Sequence, residues 1–150
     1  MKWTLCILVG TLVLAPLVAQ SQKMEMLQVD NIRHVDDKSP TTWGMSGMEM
    51  IPLTQSNGTF TPIMRSFRMD ARTVEILCRT QAPPLSGNDI RTVVENGRHY
   101  VVVRRYMLAE VFPQDARAAK SSIGDLTAKW AHAVRVVLPQ VAPMGNRFGI

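Results

Sequence analysis

An almost unbroken apolar run over residues 3–18 decides how much of this 150-residue chain is left to build a core. Met1 and Lys2 give the run a positive start, and helix-breaking Pro16 and the small residues Ala19 and Ser21 close it. That layout is the one of a secretory signal peptide, with cleavage expected after Ser21. At roughly 16 residues the run is short of the about 20 needed to cross a hydrocarbon core. Retained uncleaved, it would instead tether the domain to a membrane surface. Cys6 lies too early in the run to serve as a lipoprotein attachment site. The expectation is therefore an exported protein, periplasmic or extracellular. It has a signal peptide over 1–21, a mobile or extended segment over 22–46, and one α+β domain over 47–150.

The residues after the leader suffice for one core and not for two. The chain carries a formal charge of +5, and removing the leader takes away only Lys2. A basic balance favours anionic partners, here an acidic envelope protein or an anionic polymer. No run of consecutive Lys and Arg is longer than Arg104-Arg105, and few aromatics lie near it, so the pattern speaks against nucleic acid. Cleavage also leaves Cys78 as the only cysteine. Its neighbours Ile76 and Leu77 suggest a small buried hydrophobe, and the alternative is a disulfide between two chains.

Turn and cap residues divide the rest. Asn57-Gly58 can supply the positive φ angles of a tight hairpin turn, which predicts strands over 48–53 and 59–64, with Pro52 and Pro62 pushing both to a sheet edge. Asp70 is placed to cap a short helix over 70–79 whose inner face would hold Val74, Leu77 and Cys78. Asn96-Gly97 predicts a second hairpin. Its first strand ends at Glu95, and residues 98–112 read as one central strand with a bulge at Arg104-Arg105. Ser122 opens the best helix, expected over 122–138. Asp125 suits its first turn, Leu126, Trp130, Val134 and Leu138 form its apolar stripe, and Pro139 lies past its end. The predicted fold class is thus α+β. A small hairpin-rich antiparallel sheet is packed by one long C-terminal amphipathic helix and one short helix.

The two strands from residue 90 onward, followed by Asp115-Ala116, Leu126, Trp130 and Leu138-Pro139, resemble a small extracytoplasmic module. It occurs in exported bacterial envelope proteins and before the membrane part of some small-conductance mechanosensitive channel proteins. The resemblance covers residues 90–139 and rests on core positions. It implies a strand-strand-helix packing unit in the envelope and brings no catalytic residues with it. The channel architecture itself is not matched, because no apolar run of membrane-crossing length follows Pro139.

Three constellations could carry chemistry. Arg98, Arg104 and Arg105 make the best anion-facing or partner-binding patch. Adjacent residues on a strand point to opposite faces, so Arg104 and Arg105 share one groove only if the backbone re-aims one of them. Met45, Met48 and Met50 form an M-x-x-M-x-M arrangement that resembles the methionine motifs of copper transporters and periplasmic copper chaperones. Soft thioether sulfur suits Cu(I), and His34 could add an imidazole ligand. Against this, methionine is an adaptable filler of apolar gaps. Gly44-Met45-Ser46-Gly47 approaches a nucleophile elbow, but Met48 stands where that motif needs glycine. His99 and His132 each stand alone, and zinc spacings are missing from the sequence. The expected role is a non-catalytic envelope binding or adaptor module with no cofactor. A copper-binding protein is the alternative.

Overall fold

The structure is a computed structural model that describes residues 23–27 and 35–142. Two antiparallel sheets and three helices enclose one main core, so the fold is α+β as the sequence predicts. A two-stranded sheet pairs β1 (Thr41–Met45) with β2 (Met48–Leu53), and a three-stranded meander runs β3 (Ile90–Glu95), β4 (Arg98–Val103), β5 (Tyr106–Val111). Helix α1 (Pro62–Arg79) precedes the meander, and α2 (Pro113–Ala118) and α3 (Ile123–Val141) follow it. The stretch expected to be a signal peptide, residues 1–21, and His34 lie outside the described residues.

Helix α3 packs against strands of both sheets. Its stripe of Leu126, Trp130, Val134 and Leu138 meets Trp43, Ile51 and Leu53 from the small sheet and Val101, Val103 and Leu108 from the meander. Ser122 caps it as expected, its hydroxyl accepting the Asp125 amide at 3.0 Å. The helix continues through Pro139 to Val141 instead of stopping before it. A proline in the last turn costs one ladder bond near an end that is already short of partners.

The first hairpin differs from the expected one. Its turn is Ser46-Gly47, both at positive φ (52° and 77°), so β2 pairs backward with β1 rather than forward across Asn57-Gly58. The chain thus joins the core before residue 47, and β1 places Trp43 in it at 1% exposure. Met50 is an extra residue in the β1–β2 register, a bulge opposite Gly44. A side chain at Gly44 would collide with the Met48 carbonyl, so glycine there is a requirement of close strand approach. Ser46 is accordingly a turn residue.

Asn57-Gly58 does form a turn, but one that leads into a helix. The Asn57 carboxamide accepts the Phe60 amide at 2.8 Å, and Thr61 then caps α1 with Pro62 in its first turn. The strand expected over 59–64 is therefore absent. The helix expected over 70–79 starts at Pro62, and Asp70 sits in its interior, accepting the Trp43 indole N–H at 2.8 Å. Its buried stripe is Arg65, Met69, Arg72, Thr73 and Ile76, spaced by three and four. Val74 and Cys78, expected inside, are exposed. Two arginines in the buried stripe hide it from any search for apolar periodicity.

Residues 98–112 form two strands, not one. Val103 pairs directly with Tyr106, so Arg104-Arg105 is a two-residue turn, with Arg104 at φ 53°. The bulge lies further on: Val101 faces Ala109 and Val102 faces Met107, leaving Leu108 as the extra residue. Leu108 and Ala109 consequently both enter the main core, while Tyr100, Val102 and Met107 pack on the other face of the meander.

Arg65 and Asp115, buried to 6% and 4% exposure, lock α1 to α2. The guanidinium makes a two-pronged contact, Nη1 to Oδ1 at 2.8 Å and Nη2 to Oδ2 at 2.7 Å, and Nη1 also donates to the Gln55 carbonyl at 2.7 Å. The Asp115 carboxylate in turn accepts the Phe112 amide at 3.0 Å. Removing one member strands the other charge out of water, so Asp115→Ala should cost about 3–5 kcal/mol in urea unfolding. The apolar pair Arg65→Met with Asp115→Leu should recover most of that loss.

Candidate functional site

The outer face of the meander carries the site. Residues 23–27 run along the free edge of β5: the Glu25 amide donates to the Arg105 carbonyl at 2.6 Å and the Met107 amide to the Glu25 carbonyl at 2.9 Å. Met24 packs with Val93 against Tyr100, Val102 and Met107, and Leu27 enters the main core. This added edge and the β3–β4 turn bound a concavity of about 1000 Å³. Lys23, Arg98 and Arg105 supply its positive charge, Glu25 and Glu95 its negative charge, and Met24 and Tyr100 part of its apolar floor.

Two of the three arginines expected to form a patch are therefore brought together. Arg98 lies 3.8 Å from Glu110, and Arg105 lies 3.1 Å from Glu25 while donating to the Tyr106 hydroxyl at 3.0 Å. Both guanidinium groups are more than half exposed; the Arg105–Glu25 pair, open on both sides, contributes little and is readily exchanged, whereas the Glu110 carboxylate is mostly buried. The turn separates Arg104 from them. Its amide donates to the Asp89 carbonyl at 2.6 Å, its Nε to the Asp89 carboxylate at 3.1 Å, and its Nη2 to the Pro83 and Pro84 carbonyls at 2.5 and 3.3 Å. These contacts hold a non-glycine residue in the left-handed region, which costs on the order of 1–3 kcal/mol. Arg104 thus fastens the β4–β5 turn to the loop before β3. Lys23 was not found from the sequence, because no periodic or turn signal ties residues 23–27 to β5.

The methionines divide as well. Met45 and Met48 are cross-strand partners beside the Ser46-Gly47 turn. Met45 and Met50 are partly buried against the main core, while Met48 is 42% exposed. Among the described residues no group of three or more His, Cys, Asp or Glu side chains could hold a metal ion. His99 is half-buried on β4, and His132 is exposed on α3. No described helix is long and apolar enough to cross a membrane. No protein-family model, curated protein or solved structure matches the chain.

Asp89 makes the Arg104 clamp sensitive to acid. Burial works against its charge, but the Ser86 amide, the Arg104 guanidinium and the Ser86 hydroxyl outweigh it and hold the carboxyl below its ordinary value. A lowered folded value stabilises the fold above the unfolded value of about 3.9, and the contribution disappears as pH falls through the lowered one. Asp89→Asn should therefore destabilise by about 1 kcal/mol at pH 7. Urea unfolding repeated at decreasing pH should show the gap between the two proteins closing below about pH 4.

Proposed function

We propose that this chain is an exported, non-catalytic binding module that takes an acidic partner in the concavity bordered by Lys23, Arg98 and Arg105. The observation that carries this reading is the convergence of Arg98 and Arg105, from different strand ends, on one hollow with Lys23. The Glu25 partner of Arg105 is exposed enough for an incoming acidic group to replace it, and Arg98, 3.8 Å from a mostly buried Glu110, keeps most of its guanidinium surface open. The apolar floor offers a partner contact area that charge alone would not. An acidic envelope protein and an anionic polymer both have the chemistry to bind there. The basic net charge of the chain supports long-range attraction of either. Export is supported by the apolar leader, and the envelope setting by the resemblance of residues 90–139.

Retention on immobilised polyglutamate at low salt tests the site. The double variant Arg98→Glu with Arg105→Glu should weaken binding at least about tenfold, and added salt should weaken the wild type. Reversal at exposed Lys129 on α3 should change little. Equal retention of the double variant would remove the concavity from the argument.

A second reading, a Cu(I) site on Met45, Met48 and Met50 with His34, has the cross-strand pairing of Met45 and Met48 in its favour. Native mass spectrometry of the exported protein addresses it together with the leader. A mass beginning at Gln22 without adduct is expected. A copper-sized adduct lost in Met48→Leu would put the methionine reading first.

A further inference from the structure

Three arginines of helix α1, Arg65, Arg68 and Arg72, gather in one place beside β5, and they are not equally satisfied. Arg65 donates three hydrogen bonds, two to Asp115 and one to the Gln55 carbonyl. Arg72 is 7% exposed, and its Nη1 donates to the Leu108 carbonyl at 3.2 Å, yet its buried Nε–H has no acceptor. A buried donor left unpaired costs the free energy of its lost hydration, so its presence calls for an explanation. Between them, Arg68 lies over the Phe60 ring at 4.2 Å and has no carboxylate partner among the described residues.

These groups line one cavity of about 220 Å³ between α1, β5 and the turn before α1. Its walls include the rings of Phe60 and Phe112 and the side chains of Met69 and Met107. Among the described residues Glu110 is the one acidic residue lining it, and Arg98 outside the cavity faces that carboxylate at 3.8 Å. Arg65 also lines the cavity and is matched by Asp115, so Arg68 and Arg72 outnumber the single carboxylate of Glu110 and leave the chamber with a positive excess that calls for an anion. A carboxylate suits such a site, because planar guanidinium groups match it with paired N–H donors. The aromatic and thioether walls would receive an apolar body attached to it.

We propose that this cavity binds the carboxylate end of a small apolar or aromatic ligand, held by Arg68 and the unpartnered Nε–H of Arg72. The carboxylate comes either from a free organic acid or from the C-terminus of a peptide ending in an apolar residue. This is a different hollow from the concavity of the proposed function, although Met26 borders both and the Arg98–Glu110 pair lies between them. Arg68 recognises charge, Arg72 completes the hydrogen bonding, and Phe60 and Phe112 enclose the body. Burial, with Arg68 repulsion added, brings the Arg72 guanidinium down to about 10 despite the opposing Glu110, so it keeps its charge at neutral pH.

The test is a calorimetric and NMR titration of the full chain with 3-phenylpropionate and with a short peptide ending in phenylalanine. Saturable binding of either supports the site, and the tighter of the two identifies the source. The uncharged 3-phenylpropionamide and the amidated peptide should bind at least about tenfold more weakly than their acids. Arg68→Gln should lose about the same factor while melting within a few degrees of wild type, since the polar end of Arg68 rests on the Phe60 ring and makes no hydrogen bond or ion pair among the described residues. That variant keeps the test independent of Arg72→Met, which also removes the bond to Leu108 and can fail to fold. No saturation by either acid, equal binding of the amides, unchanged affinity in Arg68→Gln, or stronger binding of inorganic phosphate would each overturn the proposal.

Discussion

A guanidinium placed between two helices and shut off from water stays there only if a carboxylate and a carbonyl take up its donors. Arg65 meets that condition through Asp115 and Gln55, and much of the chain path is organised around it. The Gln55 carbonyl fixes the exit from β2, the Asp115 carboxylate fixes the start of α2 through the Phe112 amide, and Arg65 belongs to the second turn of α1. Three segments distant in sequence thus meet at one pair of charges. A well-packed apolar trio could stabilise the same junction as strongly. What the ion pair adds is direction, because two parallel N–H···O bonds accept one orientation of α2 against α1.

The same helix shows why part of the fold was legible and part was not. Helix α3 was readable because Ser122 and Asp125 mark its start and its buried stripe is entirely apolar apart from Thr127. The β3–β4 hairpin was readable because Asn96-Gly97 is chemistry that only a tight turn requires. Helix α1 carries as clear a start signal, Thr61 followed by Pro62. It was outweighed by Asn57-Gly58 a few residues earlier, and Arg65 and Arg72 break the apolar period of its buried face. The split between β4 and β5 had no local signal at all. Arg104 takes a conformation that favours glycine because Asp89, Pro83 and Pro84, all well upstream, accept its donors.

The candidate site was half legible for a related reason. Strand alternation was the wrong ground for separating Arg104 from Arg105, because the backbone there is a turn and not a strand. Arg105 and Arg98 border one concavity, while Arg104 is fixed into the loop before β3. Lys23 and Met24 complete that concavity only because residues 23–27 pair with the edge of β5, a long-range contact with no trace in composition or periodicity.

That free edge links the two charge-bearing regions. A strand at the border of a sheet exposes unpaired amides and carbonyls, and here two different devices satisfy them. Glu25 covers the part at Met107 through its backbone, and Arg72 covers the Leu108 carbonyl through its side chain. The first device leaves a concavity on the outer face of the meander, and the second leaves a smaller cavity against α1. Net charge alone would assign the arginines of this chain to its surface. Arg65, Arg72 and Arg104 instead serve as internal connectors, each tied to a carbonyl oxygen. Arg98 and Arg105 stand at the concavity and Arg68 at the cavity. The guanidinium groups assigned to an acidic partner under the proposed reading are thus those the backbone carbonyls leave unused, and net charge alone would not single them out.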